Sequence, residues 1–212
     1  MTAPPPVSEL RSVDEVVAAV GAVTDSATRV VIGIAGAPGA GKSTIADAVV
    51  HALGARAALL PMDGFHLPQS VLRDLGRRDR MGAPDTFDVD GFLRVLTAIR
   101  AGEPVAAPGF DRTIEEPVPH AIVIPPSVPI VVVEGNYLLH DGDGWAPTAA
   151  ALDLALYVEV PHDIRIARLA ARHERFGKSP ADARAWALGP DESNARLIAS
   201  TAGRADYVVR LD

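Results

Sequence analysis

A three-layer α/β domain on a mostly parallel, five-stranded sheet is the fold this sequence predicts, and two observations predict it. Runs of apolar and β-branched residues recur at 30–34, 57–61, 128–133, 154–160 and 205–211, with helical periodicity in most of the intervals between them. Directly after the first run comes Gly36-Ala37-Pro38-Gly39-Ala40-Gly41-Lys42-Ser43-Thr44, a G-x-x-x-x-G-K-S loop between a strand and a helix. Strands separated by helices must cross over to lie parallel, and a parallel sheet is covered on both faces.

The elements follow in chain order. Leu10, Val13, Val16, Val17 and Val20 make one apolar stripe, which predicts an N-terminal helix over 8–25. Residues 30–34 read as a strand buried on both faces, and the helix over 43–53 stops at Gly54. The strand 57–61 runs into Met62-Asp63-Gly64-Phe65-His66. Residues 72–84 are dense in Arg and Asp with little periodicity and read as an exposed segment. A helix over 88–101 has Asp88 as its N-cap and Gly102 as its stop. The proline-rich stretch 103–126 holds two short alternating segments, an inserted β-hairpin arm. The strand 128–133 ends at Glu134-Gly135, and the strand 154–160 ends at Pro161. Residues 162–186 are helical and basic with a break at 177–180, so that 162–180 form a lid region. Helices over 181–188 and 194–201 precede the last strand, and residues 1–212 are read as one domain.

Composition narrows the class. Hydrophobic residues at 48% and charged residues at 22% suit a globular protein with a sizeable core. A net charge of -7 argues against a nucleic-acid surface, which needs a basic excess. Zero cysteines exclude disulfides and thiolate chemistry and fit a reducing cytoplasm. The first residues lack the pattern of a signal peptide and the apolar runs are too short to span a bilayer, so the expectation is a cytoplasmic protein without a membrane partner. Six scattered histidines without HExxH spacing suggest no zinc site.

The glycine-rich loop carries the strongest chemical signal. Glycines let consecutive backbone N–H groups curl round a phosphate, and the helix that follows adds the positive end of its dipole. Residues Gly36 to Thr44 are therefore expected to hold the triphosphate of a nucleotide, with Lys42 at the β/γ phosphates and Ser43 on Mg2+. In parallel sheets ligands lie beyond the carboxyl ends of the strands. Two carboxylates sit at such ends. Asp63 could take the proton of an attacking hydroxyl or cap its strand in an Asx turn. Glu134, after four buried-type residues, has the position of an acid near Mg2+. His66 and Tyr137 could shape a small-molecule pocket or simply pack. Arg165, Arg168 and Arg172 share one helix face; of these Arg168 and Arg172 are the candidates for stabilising a transferring phosphoryl group, the alternative being a solvated basic face.

Taken together, the loop, Met62-Asp63-Gly64-Phe65-His66, Arg80-x-Gly82-Ala83-Pro84-Asp85-Thr86-Phe87-Asp88, Val133-Glu134-Gly135-Asn136-Tyr137 and the arginine-rich segment ending in Arg172-His173 resemble the phosphoribulokinase/uridine kinase superfamily of P-loop kinases, which includes the type I pantothenate kinases. The resemblance implies a P-loop NTPase fold and transfer of the γ-phosphoryl of ATP to a hydroxyl of a small molecule such as a nucleoside or a pantothenate-like acceptor. It implies that Asp63 is the base, that Lys42 and Ser43 serve phosphate and magnesium, and that Glu134 lies near the metal. Arg168 and Arg172 would belong to the lid, Arg80, Phe87 and Asp88 to the acceptor pocket, and the arm would cover the acceptor. Uridine kinases usually carry Asp-Ser-Phe-Tyr where this chain has Asp63-Gly64-Phe65-His66, and type I pantothenate kinases share Asp-Gly-Phe but are larger. The chain therefore looks most like a compact bacterial, nucleoside/nucleotide kinase-like branch, and a homodimer is compatible with it. Two rivals stand beside this reading. A nucleoside monophosphate kinase would use Arg77, Arg78 or Arg112 to grip the acceptor's phosphate, and a P-loop switch or assembly protein would have no acceptor at all.

Overall fold

The computed structural model describes residues 8–23 and 29–211. Its strands are β1 (Ser8–Leu10), β2 (Val30–Gly36), β3 (Ala57–Pro61), β4 (Val105–Asp111), β5 (Glu116–Ile124), β6 (Ile130–Gly135), β7 (Leu154–Val158) and β8 (Tyr207–Val209). Its helices are α1 (Val13–Val23), α2 (Lys42–Leu53), α3 (Gln69–Asp74), α4 (Val89–Arg100), α5 (Ala146–Ala150), α6 (His162–Arg175), α7 (Pro180–Leu188) and α8 (Pro190–Ala199).

Six strands form one sheet in the order β1-β8-β7-β2-β6-β3, with every pair parallel. The run of Val, Ile, Gly and Ala in β2 is buried throughout, as a strand flanked on both edges and covered on both faces must be. One face is closed by α1 and α2 through Val16, Val20, Ile45 and Val49. The other is closed by α4 and α8 through Phe92, Leu96, Ile99 and Ile198. Most of the chain's few aromatic side chains gather in this second layer, where Phe92, Phe87 and Tyr137 all pack on Trp145 at 5.6–5.7 Å between centroids.

The structure corrects the expected sheet size. Residues 8–10 are not the start of the N-terminal helix but a sixth strand, paired with β8 and closing the sheet's edge. Three residues are too few to show a period of two, and Leu10 happens to fall in phase with the valine stripe of α1. Positions 24 and 25 of the expected helix lie outside the described residues. The stretch 72–84 is also more than an exposed segment. Leu72 is fully buried in α3, and the Gly82 carbonyl accepts hydrogen bonds from the Tyr137 hydroxyl (2.6 Å) and Asn194 Nδ2 (3.1 Å). The last helix begins at Pro190 rather than at 194, and the last strand covers only 207–209.

The arm is present as the antiparallel pair β4–β5, with an irregularity between Ala107 and Gly109. Arg29 ties down its base by donating to the carbonyls of Glu103 (3.0 Å), Pro125 (2.7 Å) and Val128 (3.0 Å). Near its middle the arm comes so close to the segment after β3 that a Cβ on Gly64 would lie 2.0 Å from the Pro108 carbonyl oxygen. Among the described residues no helix is long and apolar enough to cross a membrane.

Candidate active site

The sheet order sets the site. With β6 between β2 and β3, the glycine-rich loop after β2, Glu134 at the end of β6 and Asp63 just past β3 stand side by side along the carboxyl edge. Gly39 holds φ of +78°, and a Cβ there would lie 2.7 Å from Leu169 Cγ and 2.9 Å from the Arg165 carbonyl oxygen, so the loop takes its curl only with glycine and lies directly beneath α6. At the start of α2, Gly41 supplies no side-chain cap. The amides of the first turn therefore have no partner from the chain's own capping and face an anion readily.

Lys42 is 8% exposed, and its Nζ donates to the Ala37 carbonyl (3.1 Å) and Asn136 Oδ1 (2.7 Å). Burial pushes its ammonium down to about 8, although the charges of Glu134 and Asp63 oppose the shift. Ser43 Oγ donates to Glu134 Oε1 at 3.2 Å. Burial, and after it the charge of Asp63, push the Glu134 carboxyl above its ordinary range. A hydroxyl and one carboxylate are the sparse oxygen donors with which Mg2+, keeping its waters, is ordinarily held, so the residues fit that ion. Among the described residues no group of three or more His, Cys, Asp or Glu forms a richer metal cluster.

Asp63 accepts a short ion-pair hydrogen bond from Arg112 in the turn of the arm. Burial pushes its carboxyl up, but the charge of Arg112, and after it those of Arg172 and Lys42, outweigh that and hold it below the ordinary value. The His66 ring nitrogen Nδ1 lies 2.8 Å from the Asp63 carbonyl oxygen. A carbonyl can only accept, so Nδ1 carries the proton; burial holds the ring neutral, which leaves Nε2 as an acceptor. The ring is flanked by Phe87 at 4.0 Å and Phe110 at 4.7 Å.

One cleft collects Pro38, Lys42, Ser43, Asp63, His66, Glu134 and Arg172 from among the expected residues. Others lie outside its lining. Arg168 is exposed on α6, its guanidinium 3.4 Å from where a Gly41 Cβ would stand. Arg80 is paired with Asp85. Phe87 is 5% exposed in the aromatic layer, and Tyr137 is fully buried with its hydroxyl spent on Gly82. Asp88 caps α4, its Oδ1 accepting from the Gly91 amide at 2.8 Å. Arg165, which shares the face of Arg168 and Arg172, is buried and bonded to Glu192 of α8. The cleft also takes in Phe110, Glu115, Asn136, Asp191 and Asn194, which sequence reasoning did not select. Asn136 could have been found, because it follows Glu134 at a strand end. Asp191 and Asn194 reach the cleft only through the return of α8.

A glycine-rich loop on a central parallel strand, a buried lysine at its end and two carboxylates on neighbouring strand ends define a P-loop α/β protein built to handle a phosphate chain. Residues 31–179 match the Phosphoribulokinase / Uridine kinase family. The "putative uridine kinase C227.14" of Schizosaccharomyces pombe is 38% identical over 160 residues, 68% of this chain and 66% of that protein. The "uncharacterized protein YggC" of Escherichia coli K12 is 31% identical over 188 residues, 86% of this chain and 78% of that one. A crystal structure described as a "putative fructose transport system kinase" from Silicibacter sp. TM1040 superposes with a TM-score of 0.86 at 35% identity, covering 94% of this chain and 99% of that one. The chain belongs to the phosphoribulokinase/uridine kinase family.

Proposed function

We propose that this protein is an ATP-dependent kinase that transfers the γ-phosphoryl group to a hydroxyl of a small-molecule acceptor, of the order of a nucleoside or pantothenate in kind. The observation that carries the reading is Asp63, a charged carboxylate across the cleft from Lys42 and the phosphate loop, with Glu134 between them. Family membership and the likeness to proteins described as kinases support it.

In this reading the amides of the loop and Lys42 hold the triphosphate, and Asp63 accepts the proton of the acceptor hydroxyl. The hydroxyl oxygen forms its bond to the γ-phosphorus as the bond to the β,γ-bridging oxygen breaks, and ADP departs. Arg172 from within the cleft and Arg168 from its rim offset charge on the equatorial oxygens. Mg2+, held by Ser43 and Glu134, supplies further neutralisation of the phosphate oxygens when bound. The loop packs directly under α6, so a movement of that helix would open or seal the phosphate end.

Replacement Asp63→Ala tests the reading. Phosphoryl transfer to an acceptor falls by roughly 10²–10⁴-fold while MgATP still binds by calorimetry. A switch protein with no acceptor would keep its ATP hydrolysis in this variant, and that result would overturn the proposal.

A further inference from the structure

The wall of the cleft opposite the phosphate loop carries a charge arrangement that a neutral acceptor does not need. Arg112 from the arm is engaged with Asp63, and Arg78 is engaged with Glu115 in the same turn. Arg172 enters from α6 and forms no salt bridge among the described residues, although the charges of Asp191, Asp63 and Glu134 act on it. Burial and then the like charge of Arg112 push the Arg172 guanidinium below its ordinary range, so the two arginines feel each other. Arg172 has a use in the proposed function, on the transferring phosphoryl group. Arg112 does not.

An arginine seated on the carboxylate that must take up a proton works against that role, because the ion pair occupies an oxygen and lowers its basicity. The conflict disappears when Arg112 leaves Asp63 as the acceptor arrives. The Arg112 guanidinium is 38% exposed, so water offsets part of what it loses on leaving Asp63, and a second anion within reach of the arm would replace the rest.

Resting on the kinase reading above, we propose that the acceptor itself is an anion, bearing a carboxylate or phosphate near the reacting hydroxyl, and that Arg112 is the specificity-determining residue that passes from Asp63 to that group. The surroundings suit such a ligand. The bare Nε2 of His66 accepts a hydrogen bond from a second hydroxyl, and Phe110 covers the carbon skeleton. A neutral nucleoside would leave Arg112 where it is and the base blocked.

The test compares acceptors in pairs that differ only in the charged group: glycerate with glycerol, pantothenate with panthenol, ribose 5-phosphate with ribose, and uridine monophosphate with uridine. Binding is read by calorimetry with a non-hydrolysable MgATP analogue present, and transfer is read with MgATP. The first two pairs report a carboxylate, the last two a phosphate. At least one charged member is favoured over its neutral partner by roughly 30-fold or more, and Arg112→Gln reduces that ratio by roughly 10- to 100-fold. Arg112→Lys, which keeps the charge without the fork, restores part of it. The ratio is the decisive readout, because a merely structural loss lowers both members of a pair alike. Equal use of a neutral member, a ratio that survives Arg112→Gln, or no binding of any charged member overturns the inference. Failure of the wild type to bind the MgATP analogue overturns the kinase reading instead.

Discussion

At the scale of single residues, the most consequential environment is that of Lys42. A buried ammonium lowered to about 8 is half deprotonated just above neutral pH in the free protein. Phosphate oxygens beside it favour the charged form and raise that value. Nucleotide binding near pH 8.5 therefore takes up protons, and binding near pH 6.5 takes up none at this residue. Calorimetry in buffers of different ionisation enthalpy measures this directly, and proton uptake that does not rise between the two pH values would refute it. The side chain of Lys42 was legible in the sequence as part of the loop, as were Ser43, Asp63 and Glu134, because each lies at a strand or loop end whose position is set locally. Its neighbour Asn136 was within reach of the same reasoning, whereas the pairing of Asp63 with Arg112 was not, since contact between residues 63 and 112 exists only after the arm folds back.

Between elements, two contacts hold the cleft's shape. Arg165 on α6 is 4% exposed and bonded to Glu192 on α8, which ties the roof of the phosphate loop to the wall behind it. Burial raises the Glu192 carboxyl, but Arg165 outweighs that and holds it below its ordinary value. A lowered carboxyl contributes stability above its unfolded value, and the contribution is lost as pH falls through the folded one. Glu192→Gln is thus expected to lower stability by about 3 kcal/mol at pH 7, with the difference from wild type shrinking below about pH 4.5 in chemical denaturation. The second contact is the close approach of the arm to Gly64. Gly64→Ala puts a methyl group 2.0 Å from a backbone oxygen that no rotamer change can move. The arm must shift, so acceptor KM rises at least tenfold with a smaller change in the KM for ATP, and steady-state kinetics that showed the reverse split would sink this reading. The hairpin itself was readable from its alternating pattern and prolines, whereas its seating on Gly64 was not, because nothing in the local sequence says which surface a projecting arm leans on.

Over the whole molecule, the sheet ends at β1, where Leu10 is 9% exposed and packs in the layer closed by α1 and α2. Glu9 meets Arg210 across the β1–β8 junction at 2.9 Å. Leu10→Ala is expected to cost about 2–3 kcal/mol and to lower Tm by roughly 2–4 °C per kcal/mol, while leaving ATP binding at 25 °C intact, because the site lies on the other side of β7. The α/β class, the phosphate loop and the strand-end carboxylates were determined by the sequence alone. Their signals are short-range: hydrophobic period, glycine spacing and a lysine beside a helix start all act within about a dozen residues. The sixth strand, the insertion of β6 between β2 and β3, the pairing of Arg112 with Asp63 and the diversion of Arg165 and Tyr137 into structural bonds were decided only by the tertiary structure. Each joins segments far apart in the chain, and which of several chemically equivalent partners a side chain meets depends on how the layers pack.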